Sequence, residues 1–291
     1  MLELPIEEIQ PLYSIRRFTE EIYKITRFNG SGAFFCIDHS NDKHHDSKLD
    51  SSFSRARARI LEIALCNHWT YFFTGTFNPG CWDRFDLDLL HKSLTQFFRD
   101  LRKKYHHEFR FLLIPEQHKD GAIHFHGLLD DLPKSCLASF DPIIHPISLC
   151  KPEYFRFLDF ERKFGFSSLC SIKSPVACAF YMCKYISKDL SKRKDEIGKH
   201  LYSCSQGLKS SIDWAKSYVP DPDLDKFIDH HYEFCSTGYT KVKDGCDWTF
   251  GSNCEPSNLL PLFSQDELDL YDKIDHETIN YYQLSIFGGI V

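Results

Sequence analysis

The chain has 291 residues, 42% hydrophobic and 26% charged, with 26 Phe among its aromatics, which is enough apolar material for one large domain or two small ones. No run approaches the ~18 consecutive apolar residues that a membrane-spanning helix needs. The opening Met1-Leu2-Glu3-Leu4-Pro5-Ile6-Glu7-Glu8 is acidic and lacks the basic-then-apolar pattern of a signal peptide, so a cytoplasmic protein with no membrane partner is expected. The net charge of −6 hides an asymmetry: residues 162–216 carry eleven Lys and Arg against four Asp and Glu, and residues 217–291 carry four against fourteen. A basic middle segment suits nucleic acid, although a solvated basic surface beside an acidic tail is the plainer reading of charge alone.

Residues 1–58 are mixed and polar. Asn41 to Lys48 reads as a loop, with His44 and His45 in it. Arg55, Arg57 and Arg59 could touch phosphate, with a solvated face as the plainer alternative. Residues 70–77 read as a buried strand ended by Asn78-Pro79-Gly80. An amphipathic helix follows over 86–105, where Leu87, Leu90, Leu94, Phe97, Phe98, Leu101 and Tyr105 recur at helical spacing. Phe109 to Pro115 and Ala122 to Leu129 are two further strands, joined through Asp120-Gly121, a hairpin-turn signal. Residues 133–173 are weakly patterned. Residues 174–194 predict a helix with Ser174 as N-cap and Pro175 in the first turn. The tail from 217 is acidic and contains proline.

The twelve cysteines include no C-x-x-C pair, which argues against a zinc knuckle or ribbon. In a reducing compartment they read as buried free thiols.

His124-Phe125-His126 is the first chemical signal, because residues i and i+2 of a strand share a face. Two imidazoles one pleat apart can hold a divalent cation, although H-x-H by itself is weak. If the hairpin loop has three or five residues centred on Asp120, Glu116 lies opposite His124 and shares its face; a two-residue loop would shift the register. Glu116, His124 and His126 would then leave coordination positions open for substrate or water. His118 is a reserve ligand on the same face, and Gln117 a weaker candidate.

The second signal is Phe180-Tyr181-Met182-Cys183-Lys184-Tyr185-Ile186-Ser187-Lys188. At ~100° per residue, Tyr181, Lys184, Tyr185 and Lys188 share one presented face, and Val176, Ala179, Phe180, Cys183, Ile186 and Leu190 point inward. An ordinary amphipathic helix with Tyr and Lys on its rim has the same pattern. Chemically, a phenol beside an ammonium is better placed to ionise and could attack a DNA phosphodiester to give a phosphotyrosine. A metal would polarise that phosphate.

In this order and spacing, these motifs resemble the HUH endonucleases that initiate rolling-circle replication. The doubled Tyr-x-x-Lys of Tyr181 to Lys188 is similar to the two-tyrosine initiators of microviruses and filamentous phages. Thr74-Gly75-Thr76-Phe77-Asn78 resembles the family's first strand motif, usually written with Leu where Gly75 stands. Pro115-Glu116 through Gly121 and Tyr202 through Leu208 resemble neighbouring family segments. The resemblance spans about residues 68–210. It implies an α+β fold of the HUH nuclease or Rep type (RRM-like), with an antiparallel sheet of about five strands flanked by helices. It implies Glu116, His124 and His126 as metal ligands for Mg or Mn, Tyr181 and Tyr185 as nucleophiles, and Lys184 and Lys188 as phosphate or phenolate partners. The activity implied is nicking and rejoining of single-stranded or melted origin DNA in the cytoplasm of a bacterial host.

The expected organisation is an N-terminal extension over 1–60, an endonuclease domain over 61–216 and an acidic region over 217–291. No G-x-x-x-x-G-K-[ST] motif occurs, so no ATP-binding module is expected. Host helicase and polymerase are the expected partners. The alternatives are an HUH transposase or relaxase, a non-catalytic origin-binding protein, and an unrelated metal-dependent oxygenase or hydrolase using H-x-H. The order His motif then Tyr disfavours the relaxase.

Overall fold

A computed structural model describes residues 11–29, 45–118, 120–189, 201–231, 235–243 and 259–262; the side chains of 45–53, 184–189 and 261 lie outside this description. In chain order the elements are β1 (Tyr13–Arg17), β2 (Ile22–Phe28), α1 (His45–Cys66), β3 (Tyr71–Thr76), α2 (Leu87–Tyr105), β4 (Phe111–Gln117) and β5 (Ile123–Leu129). Next come β6 (Leu137–Ala138), β7 (Tyr154–Phe157), α3 (Leu158–Lys163), β8 (Ser167–Ser171), α4 (Pro175–Asp189) and β9 (Ser203–Cys204). The last are β10 (Ile212–Ser217), α5 (Pro222–Asp225), β11 (His230–His231), β12 (Cys235–Val242) and β13 (Leu259–Pro261). The fold is α+β, and all strand pairs among the described residues are antiparallel.

Two compact units are present: Met1–His44 with Ser210–Ser264, and His45–Lys209 with Gln265–Val291. The second contains a seven-stranded sheet of order β6-β7-β8-β3-β5-β4-β9. Its edge strands β6 and β9 are two residues long, so the sheet is in substance the expected five strands. β5 lies between β3 and β4, which fixes the His motif at the centre of the sheet.

One face of this sheet is closed by an aromatic core. Leu90, Leu94, Phe97, Phe98 and Leu101 from α2 join Phe73, Leu113 and Phe125 from the strands, and Phe157, Phe160 and Phe164 from the α3 region. The predicted α2 stripe is therefore its buried stripe, and Asp86 caps the helix by accepting from Leu89 N at 3.0 Å. Each Phe fully buried this way contributes about 1.5–3 kcal/mol of transfer free energy. α4 packs against β4 and α1. Ser174 caps α4 as predicted: its Oγ accepts from Ala177 N at 3.3 Å.

Three expectations are corrected. α1 forms a helix where a polar extension was expected, because its C-terminal half buries Ile60, Ile63, Ala64 and Leu65. β1 and β2 do not stand alone as an extension. They pair with β10 and β12 in a six-stranded sheet whose core holds Tyr13, Ile15, Tyr23, Ile25 and Val242. Tyr13 Oη donates to Asp225 Oδ1 at 2.9 Å, which anchors α5 within this unit. Finally, the buried side of α4 is broader than predicted, since Met182 is fully buried beside Ala179 and Cys183 while Phe180 is only half-buried. A helix packed against both a second helix and a sheet edge buries more than one stripe. Ile186 and Leu190 lie outside the described side chains.

All nine cysteines among the described residues are free thiols. Cys66, Cys136 and Cys183 are buried, but Cys81 is exposed and the others half-buried, so the expected burial is partial.

Candidate active site

The sheet face opposite the aromatic core carries the His motif. Phe125 points into the core, so His124 and His126 on either side of it share the other face. The β4–β5 hairpin has the five-residue loop register, with Gln117 opposite Ile123 and Glu116 opposite His124. Gly121 makes this turn possible. Its φ of 87° lies in the left-handed region, and its N–H donates to His118 O at 3.0 Å.

Two threonines of β3 stand directly across from the histidines, Thr74 opposite His126 and Thr76 opposite His124. Thr74 Oγ1 is 3.1 Å from His126 Nδ1, and Thr76 Oγ1 is 2.8 Å from His124 Nδ1. All four side chains are buried. Each ring is thus held by Nδ1, which turns Nε2 away from β3. Glu116 Oε2 lies 2.7 Å from His126 Nε2, so the carboxylate opposite His124 in register reaches diagonally to the second imidazole. The His118 ring stands beside His124 with centroids 3.6 Å apart.

Burial pushes the His124 imidazole down to about 2, assisted by the charges of His118, His126 and Arg84. Burial also lowers His118, against the opposing pull of Glu116 and Asp120. Both are therefore neutral at pH 7, the form in which imidazole binds metal.

In kind, the donor set fits a divalent cation: a carboxylate and imidazole nitrogens on one sheet face. The arrangement is not that of a finished site. Glu116 Oε2 and His126 Nε2 bond to each other, and among the described residues no three His, Cys, Asp or Glu side chains have the spacing of a formed metal site. An ion would have to enter between those two atoms.

Tyr181 reaches this same face. Its ring lies 5.5 Å from that of Phe72, and Phe72 is stacked on His126 with centroids 6.0 Å apart. Tyr181 is half-buried, not on a fully presented face as the helical pattern suggested. The backbone of α4 continues through Lys184, Tyr185 and Lys188, but their side chains lie outside the described set, so nothing places them at the site.

Sequence reasoning quoted Thr74 and Thr76 without giving them a task, and it missed Phe72 and Arg84. A T-x-T strand opposite an H-x-H strand is a legible signal once the two are known to pair. Arg84 Nη2 sits 3.9 Å from Asp120 Oδ2, and its carbonyl accepts from Ile123 N at 2.8 Å, which ties it to the hairpin.

Residues 70–190 match a family of replication-associated proteins, the one described by its ORF2 members. The matched stretch opens one residue before β3 and closes one residue after α4, so it frames the His face and the tyrosine helix. This part of the chain is thus similar to replication-associated proteins. No curated protein and no solved structure matches. Among the described residues no helix is long and apolar enough to cross a membrane.

Proposed function

We propose that the unit His45–Lys209 is a metal-dependent DNA nickase and strand transferase of the HUH kind, acting as a rolling-circle replication initiator. The observation that carries this reading is the Tyr181–Phe72–His126 relay of rings, which seats the tyrosine helix on the face that bears the His pair. The family match over the same stretch supports it. The substrate is single-stranded or melted origin DNA. Glu116, His124 and His126 hold Mg or Mn, with His118 in reserve, and the cation when bound polarises the scissile phosphate.

The chain's own residues do the rest. Tyr181 Oη attacks phosphorus and loses its proton. The bond to the 3′ oxygen breaks, and that oxygen takes up a proton to leave as a 3′-hydroxyl while the 5′-phosphate stays on the tyrosine. Tyr185, one turn on, supplies a second nucleophile for strand transfer. Lys184 and Lys188 favour the phenolate and bind phosphate. Arg84 adds positive charge beside the hairpin. Unwinding and synthesis fall to a host helicase and polymerase.

A second reading, a non-catalytic origin-binding protein, is favoured by the direct Glu116–His126 bond, which ties up two of the ligand atoms. One assay separates the two. Wild type, Tyr181→Phe, Tyr185→Phe and the double variant are incubated with Mn2+ and single-stranded DNA tiling the protein's own replicon, and resolved on denaturing gels. A metal-dependent protein–DNA adduct that vanishes in the double variant is expected. Binding with no adduct anywhere across the replicon would leave the origin-binding reading.

A further inference from the structure

We propose that Thr74 and Thr76 are positioning residues for the histidine pair: each hydroxyl accepts the Nδ1 proton of the ring opposite it, so that Nε2 keeps its lone pair for the cation. This rests on the metal reading given above, and it assigns a task to the T-x-T of β3. The two hydroxyls stand 2.8 and 3.1 Å from the Nδ1 atoms of His124 and His126. Those rings are 3% and 1% exposed, so solvent offers no substitute partner. A buried imidazole N–H left without an acceptor costs about 1–3 kcal/mol, and that cost would fall on the tautomer that ligates through Nε2.

The spacing matches on both strands. Positions 74 and 76 share one face of β3, positions 124 and 126 share one face of β5, and the register sets each hydroxyl against one ring. β-branched side chains fit a strand and hold few rotamers, so the hydroxyl directions are fixed by the backbone. The neighbours differ between the two rings. The far nitrogen of His126 meets Glu116, whereas His124 stands against His118. Thr76 therefore has the simpler task and is the better place to test it.

The test compares Thr76→Val, which keeps shape and removes the hydroxyl, with Thr76→Ser, which keeps the hydroxyl. Mn2+ affinity is measured by titration calorimetry on the full chain. The hydrogen-bonded Nδ1–H of His124 is observed by proton NMR of the Mg2+-loaded protein. Thr76→Val is expected to weaken Mn2+ binding by at least about tenfold and to lose the low-field Nδ1–H signal, and Thr76→Ser to retain both. Unchanged affinity and signal in Thr76→Val would overturn the proposal, as would a Thr76→Ser protein as weak as Thr76→Val, which would point to packing alone. Absence of the His124 Nδ1–H signal in loaded wild type overturns it with no variant required. A wild-type protein that binds no Mn2+ overturns the metal reading itself, a result distinct from Mn2+ binding that ignores Thr76.

Discussion

Phe160 occupies the space that a side chain at position 75 would need. A Cβ on Gly75 would lie 2.7 Å from Phe160 Cζ and 2.4 Å from Phe73 Cζ. Where the resembling family writes Leu between its two threonines, this chain keeps a glycine and fills the volume with the Phe160 ring from α3. The departure is a core exchange and leaves the threonine face untouched. Gly75→Leu is expected to destabilise the protein by about 1–3 kcal/mol through overpacking, and combining it with Phe160→Ala to recover part of that loss. Urea unfolding of the two single variants and the double variant measures the coupling. Strict additivity would show that the two positions do not compete for the same space.

His124 makes stability depend on pH in one direction. Its folded imidazole is pushed down to about 2, chiefly by burial and then by His118, His126 and Arg84. The unfolded chain takes up a proton near pH 6.5 and the folded one does not. Stability is therefore fully present above about pH 6.5 and falls as pH drops below it, with a slope of at most ~1.4 kcal/mol per pH unit from this group. His118, also lowered by burial, adds in the same sense. Urea midpoints measured at pH 7.5 and 5.0 should separate in wild type and draw closer in His124→Gln. An unchanged gap would show that His124 is not the group responsible.

Asp159 clamps the end of α2 to α3. Its Oδ1 accepts from Lys104 Nζ at 2.6 Å and Arg162 Nη2 at 2.8 Å, and its Oδ2 accepts from Tyr105 Oη at 2.6 Å. Burial works to raise this carboxyl, but the Lys104 and Tyr105 hydrogen bonds and the nearby cations outweigh it and hold it below the usual range. Lys104 and Arg162 are half-exposed or more, so screening limits their share. Asp159→Ala is expected to cost about 2 kcal/mol, read as a lower urea midpoint, with Tyr105→Phe costing less.

Phe72 separates the nucleophile from the metal ligand. Phe72→Ala removes the ring on which both Tyr181 and His126 rest. Adduct formation is expected to fall by about 10- to 100-fold, because misplacing a reacting group by an ångström has that scale of effect. Mn2+ affinity should stay within a small factor of wild type. An equal loss in both measurements would mean that Phe72 supports His126 alone.

The elements legible in sequence are those with a signal of their own. α2 carries a full apolar stripe, α4 a capping serine followed by proline, and β4 and β5 an Asp-Gly turn whose register is local. The placement of Glu116 on the His face followed from that turn alone. What escaped depends on distant chain. Thr74 and Thr76 meet the histidines across separations of 52 and 48 residues, and no local pattern announces that β3 pairs with β5. β7, α3 and β8 are short and partly half-buried, which left 133–173 without a readable period. β1 and β2 alternate only in part, and they make sense beside β10 and β12, far along the chain.

That last pairing sets an order of events during synthesis. The hairpin β1–β2 emerges first, with the apolar faces of Tyr13, Ile15, Tyr23 and Ile25 lacking the strands that will flank them. Every residue from His45 to Lys209 must be made before β10 appears, and β12 follows later still. The earliest strands to leave the ribosome thus complete their sheet after the unit that carries the His face has had this whole stretch available to fold. A chain stopped at Lys209 would carry an intact His and Tyr face together with an orphaned hairpin, a sticky edge open to any passing strand.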